Sequence, residues 1–210
     1  MTCTYNTRKF LGPTLYETKE HYSLSSDERG YIRSTMTGRN SEIIGGGKRH
    51  SRDLQVLHRE ELASLSKWIQ HNINQFVHDV YTITDDVEFY ITDSWINHLM
   101  PGTEHVMHQH SNSIISGVLF IGKENNNEPL YFGTDINEVF RGFEFPYEDM
   151  KYERVEFEDG KLVMFPSKVA HGVPPVALDR WSLSFNTFFR GTVGGGSGVN
   201  IGYGNQLTLT

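Results

Sequence analysis

Apolar positions along the chain change their spacing once, and that change divides the sequence. Between Arg59 and Val80 the residues Leu62, Leu65, Trp68, Ile69, Ile73, Phe76 and Val77 recur at steps of three and four. This is the period of an amphipathic helix with one buried stripe. His71 and His78 sit near that stripe, where solvated or hydrogen-bonded helix histidines are the ordinary case. From Val87 onward the pattern shortens to runs of Val, Ile, Phe, Tyr and Thr broken by Gly, Asn, Asp and Pro, which predicts strands. Candidate strands are 87–92, 94–99, 106–110, 114–121, 129–132, 161–165, 169–173 and 181–189. About eight such strands suit a jelly roll or related barrel.

The flanks lack this periodicity. Residues 1–52 are polar and punctuated by Gly and Ser, with Gly45, Gly46 and Gly47 in a row. They are expected to be irregular and to pack on the barrel or cover it as a lid. Residues 53–190 form the expected barrel domain with its helix. Residues 191–210 read as a Gly-rich tail, flexible or ordered by a partner. The stretch from Gly133 to Asp159 is a long, acidic and aromatic insertion that could cover a site.

Composition narrows the chemistry. A chain of 210 residues fits one domain, and 37% hydrophobic with 21% charged residues is globular. A formal charge of -7 without a basic patch disfavours nucleic acid. Cys3 is the single cysteine, so a disulfide within the chain and a thiolate zinc cluster are both excluded, and any metal must take nitrogen and oxygen ligands. The first ten residues resemble no signal peptide, and no window approaches a membrane span, so a cytoplasmic protein without membrane contact is expected. Exposed strand edges and the tail permit a homodimer.

Histidines carry the chemical signal. Val106, His108 and His110 alternate along a predicted strand, so both imidazoles project from one face. Two adjacent buried imidazoles are costly unless a metal or hydrogen-bond network compensates. His171, in a later strand, offers a third ligand. Neutral imidazoles suit iron, copper, nickel and zinc, whereas the lack of a carboxylate cluster argues against calcium or magnesium. His105 is expected on the opposite face, structural or exposed. Nine residues past His171 lies Arg180, on a strand whose Arg180, Ser182, Ser184 and Asn186 share one face and whose Trp181, Leu183 and Phe185 share the other. A guanidinium turned into a barrel needs an anion, and a ligand carboxylate held with help from the Ser182 hydroxyl supplies one.

From about Ser51 to Phe189 these residues resemble the iron(II)- and 2-oxoglutarate-dependent oxygenases, in particular a prolyl-hydroxylase-like group from phages and bacteria. The marks are Ser94-Trp95-Ile96-Asn97, His108-Gln109-His110, Ser116-Gly117-Val118, Phe165-Pro166-Ser167, His171-Gly172-Val173-Pro174-Pro175 and Arg180-Trp181-Ser182-Leu183-Ser184-Phe185-Asn186. The resemblance implies a mainly β fold, a double-stranded β-helix with a supporting N-terminal α-helix. It implies iron(II) at the open end on His108, His110 and His171. It also implies that Arg180 and Ser182 bind the C5 carboxylate of 2-oxoglutarate, with Asn97 and Tyr131 as further contacts to the cosubstrate. The implied reaction consumes O2 and 2-oxoglutarate, releases succinate and carbon dioxide, and hydroxylates a C–H bond. Its substrate is a peptide, such as a prolyl side chain, or a small molecule, and a phage protein would act in the host cytoplasm.

One feature departs from the family pattern. Where most members have His-x-Asp or His-x-Glu, this chain has His110, so the triad is three histidines and zinc or nickel would also suit it. Two other readings remain. A cupin matches Gly102, His108, His110, Gly160, Pro166 and His171, but it has Ile114 and Ile115 where its glutamate belongs and leaves Arg180 and Ser182 unexplained. A metal-stabilised structural jelly roll would account for the Gly-rich tail.

Overall fold

The computed structural model describes residues 5–9, 14–44, 47–122, 128–133, 153–193 and 207–209. Most of the 133–159 insertion and most of the Gly-rich tail lie outside them. The alternating segments pair into two antiparallel sheets. The larger contains β1 (Tyr5–Lys9), β2 (Thr14–Thr18), β3 (Ser41–Ile44), β4 (Lys48–Ser51), β5 (Val87–Leu99), β7 (Ile115–Ile121), β10 (Leu162–Pro166), β12 (Arg180–Val193) and β13 (Leu207–Leu209). Its order is β1-β2-β10-β7-β12-β5-β4-β3, with β13 pairing β12. The smaller sheet runs β6-β11-β8-β9, from β6 (His105–His108), β11 (Ala170–Val173), β8 (Leu130–Gly133) and β9 (Glu153–Val155).

Strand periodicity gives the large sheet two buried faces. On one, Phe89, Ile91, Ile96, Leu119, Ile121, Leu162, Met164, Leu183 and Phe185 pack under helix α2 (Ala63–Gln75), which contributes Leu65, Ile69 and Ile73. On the other, Leu99, Val118, Phe120, Val163 and Phe165 meet Leu130, Phe132, Val155, Phe157 and Val173 across the space between the sheets. Each fully buried Leu, Ile or Phe in these layers is worth about 1.5–3 kcal/mol of transfer free energy. Asn72 is a polar exception on the buried stripe of α2. Its Oδ1 accepts from the Tyr16 hydroxyl at 2.7 Å, and its Nδ2 donates to the Trp68 carbonyl at 2.8 Å, which satisfies the amide.

The expectation of an irregular N-terminal region is overturned. Helix α1 (Ser26–Ser34) begins with a capping box: the Ser25 hydroxyl accepts from the Glu28 backbone, and the Glu28 carboxylate accepts from the Ser25 backbone. Strand β2 pairs with β10, and β4 pairs with β5. Short strands of mixed polarity at the ends of a sheet carry little two-residue alternation, so the sequence shows no pattern there. At the other terminus, Gly191–Val193 continue β12, and Leu207–Leu209 pair back onto it. The two strands expected over 87–92 and 94–99 are one, β5, which bulges at Thr92: Asn186 faces Asp93, whereas Thr187 faces Ile91.

Candidate active site

The register of β12 against β5 sets one wall of the site. Arg180, Ser182, Ser184 and Asn186 stand opposite Leu99, Asn97, Trp95 and Asp93. Their neighbours Trp181, Leu183 and Phe185 lie on the helix side. The polar face therefore looks into the space between the sheets, as the alternation predicts. The opposite wall is the small sheet, where His171 of β11 pairs with His108 of β6 and with Phe132 of β8.

His110 reaches the same place from beyond the end of β6. Its backbone N–H donates to the Ser167 carbonyl at 2.9 Å, and the Ser167 N–H donates to Ile114 at 3.0 Å, so two loops tie it down where the sequence predicts continued strand. The three rings converge: centroids of His108 and His171 are 4.3 Å apart, and those of His110 and His171 are 5.0 Å apart. One ligand nitrogen from each of the three lies within 4.8 Å of the others.

Hydrogen bonds decide which nitrogens face the centre. Nδ1 of His108 is 2.9 Å from the Val106 carbonyl, Nδ1 of His171 is 3.0 Å from the Val169 carbonyl, and Nδ1 of His110 is 2.5 Å from Asn186 Oδ1. Carbonyl oxygens only accept, so each Nδ1 carries the proton and each Nε2 presents a bare lone pair. Burial lowers the pKa of all three imidazoles, that of His108 to about 4, and keeps them neutral at neutral pH. The Nε2 atoms of His108 and His110 are 3.2 Å apart, two lone pairs in contact, which is unfavourable unless a cation stands between them. The donor set thus fits a divalent metal ion bound by nitrogen.

Asn186 is a positioning residue that the sequence reading placed on the right face without assigning it a task. Its Oδ1 also accepts from the Ser116 hydroxyl at 2.8 Å, and its Nδ2 donates to Asp93 at 2.7 Å, which fixes the amide's orientation. Trp95 stacks between His110 and His50, at 5.9 Å and 5.7 Å.

Arg180 is 2% exposed. Its guanidinium lies 5.2 Å from the rings of both Phe120 and Phe157, and its Nε donates to the Glu128 carbonyl at 3.4 Å. Among the described residues the Nη2 group is buried with no partner, as is Oδ1 of Asn97, whose Nδ2 donates to Ser184 at 3.0 Å. Burial pulls the Arg180 pKa down to about 10, while nearby Glu128 opposes the fall, so the group stays charged at neutral pH. A charged donor left unpaired in a dry site is costly, and an incoming carboxylate would satisfy it. Ser182 is buried on the same face, two residues along.

Two sequence expectations fail here. Tyr131, expected to touch the cosubstrate, pairs with Gly172, and its neighbours Leu130 and Phe132 are the ones that point inward. It lines an outer cavity of about 260 Å³ with Val106, Met107 and Gly172. His105, expected on the face opposite His108, stacks on that ring at 4.3 Å. The cause is a bulge: three steps along β6, from His105 to His108, match two along β11, from Val173 to His171. A one-residue bulge returns an out-of-phase side chain to the same face, and nothing in the local sequence signals it.

Comparison with known proteins agrees with this geometry. Residues 93–186 match the family model described as "Putative 2OG-Fe(II) oxygenase". No curated protein sequence matches. Solved structures with a similar fold include an oxidoreductase of the 2OG-Fe(II) oxygenase family from Burkholderia pseudomallei (14% identity, 82% of this chain and 83% of that one, TM-score 0.57). A Pseudomonas putida prolyl-4-hydroxylase is also similar (16%, 82% and 91%, 0.55). So is a Trichoplax adhaerens prolyl hydroxylase in complex with a hypoxia inducible factor peptide fragment (12%, 77% and 74%, 0.51). These likenesses establish the double-stranded β-helix. The matched stretch contains the three converging histidines and Arg180, so in that stretch and in its fold the chain is similar to the iron(II)- and 2-oxoglutarate-dependent oxygenases.

Proposed function

We propose that His108, His110 and His171 hold the iron and that Arg180, assisted by Ser182, anchors the C5 carboxylate of 2-oxoglutarate. The observation that carries this reading is the presence in one interior of three bare imidazole nitrogens and a buried guanidinium whose Nη2 has no partner among the described residues. When bound, the metal supplies the redox chemistry that couples decarboxylation of 2-oxoglutarate to hydroxylation of a C–H bond. The chain's own residues supply position and exclusion of water. Carbonyl acceptors lock the imidazoles as neutral ligands, and Asn186 aims His110. The stacked rings of Phe120 and Phe157 both flank Arg180, which keeps water from the guanidinium and strengthens its grip on a carboxylate. Asn97 Oδ1, buried and without a partner among the described residues, is a candidate acceptor toward whatever occupies the site.

A peptidyl side chain, prolyl among them, is one substrate class. The support is the fold shared with prolyl hydroxylases, one of them solved with a peptide bound. The experiment is turnover of 2-oxoglutarate to succinate by the iron-loaded protein in air. We expect stoichiometric succinate from the natural chain, and loss of at least a hundredfold in His171→Ala and Arg180→Ala variants that keep their thermal transitions. Equal succinate from all three would overturn the assignment.

A further inference from the structure

Strand β4, from the segment whose sequence gave no strand signal, brings a second cation into the interior. Lys48 and His50 alternate on one face of β4, and His50 stacks on Trp95, which itself stacks on His110. Lys48 is 5% exposed. Its Nζ lies 2.7 Å from Nε2 of His105, and His105 in turn stacks on His108. The bulge in β6 is what turns His105 toward this lysine.

Arg180 has the Glu128 carboxylate in its neighbourhood, although its Nη2 has no partner among the described residues, and the neutral His110 is linked through Asn186 to Asp93. Lys48 has only a neutral imidazole and, among the described residues, no carboxylate within ion-pair distance. An ammonium carries three donors, so one acceptor leaves two unused. A buried cation without an anion is expensive, and a protein normally replaces it with an apolar residue unless a ligand completes it. Desolvation lowers its pKa to about 8, which still leaves most of the group protonated at neutral pH.

We propose that Lys48 and His105 form a second anion subsite, separate from Arg180, that binds a carboxylate of the substrate. This inference rests on Arg180 serving the cosubstrate. The two cations have different surroundings: Arg180 lies against the stacked rings of Phe120 and Phe157, whereas Lys48 adjoins His105, which stacks on His108 of the triad. One ammonium beside one imidazole matches a monoanion. A phosphate dianion would require more donors. The substrate then carries a carboxylate, either as a free amino or organic acid or as an acidic group on a peptide.

The test uses the full chain loaded with nickel(II), which is redox-silent, and saturated with 2-oxoglutarate. Binding of N-acetylglycine is followed by tryptophan fluorescence, with N-acetylglycinamide as the neutral control and an N-acetylated, C-amidated aspartyl dipeptide as the peptide acid. The natural chain should bind one or both acids at least tenfold more tightly than the amide. Lys48→Met should abolish that preference, and Lys48→Arg should restore part of it, while 2-oxoglutarate affinity in both stays within about threefold of natural. Preference for the free acid would mark a small-molecule substrate, and preference for the dipeptide a peptide one. Competition between either acid and 2-oxoglutarate, no preference for an acid over the amide, or a preference that survives in Lys48→Met would overturn the second subsite. Failure of 2-oxoglutarate itself to bind would instead refute the role given to Arg180, a separate result read before any acid is added.

Discussion

Asn186 Oδ1 sits 2.5 Å from His110 Nδ1, so an uncharged amide on β12 sets the tautomer and aim of a ring that comes from a loop beyond β6. Outer contacts of this kind are worth roughly ten- to a hundredfold in metal affinity. Asn186→Ala is expected to weaken divalent metal binding by that factor, measured by competition with a chromophoric chelator, with little change in the apoprotein's thermal midpoint. Asn186→Asp, which keeps the acceptor, should bind within a few fold of the natural chain.

Acid should destabilise the metal-free protein in a defined window. Burial lowers the pKa values of His50, His105, His108, His110 and His171 in the folded state below the ordinary imidazole value of 6.5. Below about pH 6.5 the unfolded chain takes up these protons while the folded chain does not, so stability falls as pH drops. The fall should continue toward pH 4, where His108 begins to protonate in place. Thermal midpoints should therefore be flat between about pH 7 and 8, below the window in which Lys48 titrates, and decline steadily from 6.5 to 4. A flat profile through that range would contradict the buried, neutral imidazoles.

Gly117 faces Phe185 across the β7–β12 pair, and a Cβ added there would lie 2.1 Å from the aromatic ring. Gly117→Ala should cost on the order of 1–3 kcal/mol through overpacking, read by denaturant unfolding. Adding Phe185→Leu should return part of that loss, because the two side chains compete for one volume.

Strands β2 and β4 make the N-terminal region a structural part of the large sheet, with Lys48 on its inner face. A chain begun at Arg52 should therefore fail to give a soluble, cooperatively unfolding protein. A lid could be removed without that effect, so a truncated chain with a sharp thermal transition would refute the structural role.

Which parts were legible in the sequence follows from how each is encoded. The α2 stripe and the inward face of β12 are periodic, and period survives any tertiary context. His108, His110 and His171 were legible because three imidazoles so placed are hard to explain without a metal. Lys48 and His105 were not, since one sits in a four-residue strand and the other depends on a bulge. Tyr131 was misplaced for a related reason: the strand was recognised but its phase was not, and a one-residue shift in phase exchanges inside for outside.

The most direct test of the central claim is anaerobic titration of the protein with iron(II) and then 2-oxoglutarate, followed by visible absorption. A charge-transfer band should appear at one equivalent of each. It should be lost in His171→Ala, and it should require at least tenfold more 2-oxoglutarate in Arg180→Ala. Absence of the band from the natural chain, or an undiminished band in both variants, would contradict the assignment of the triad and the guanidinium.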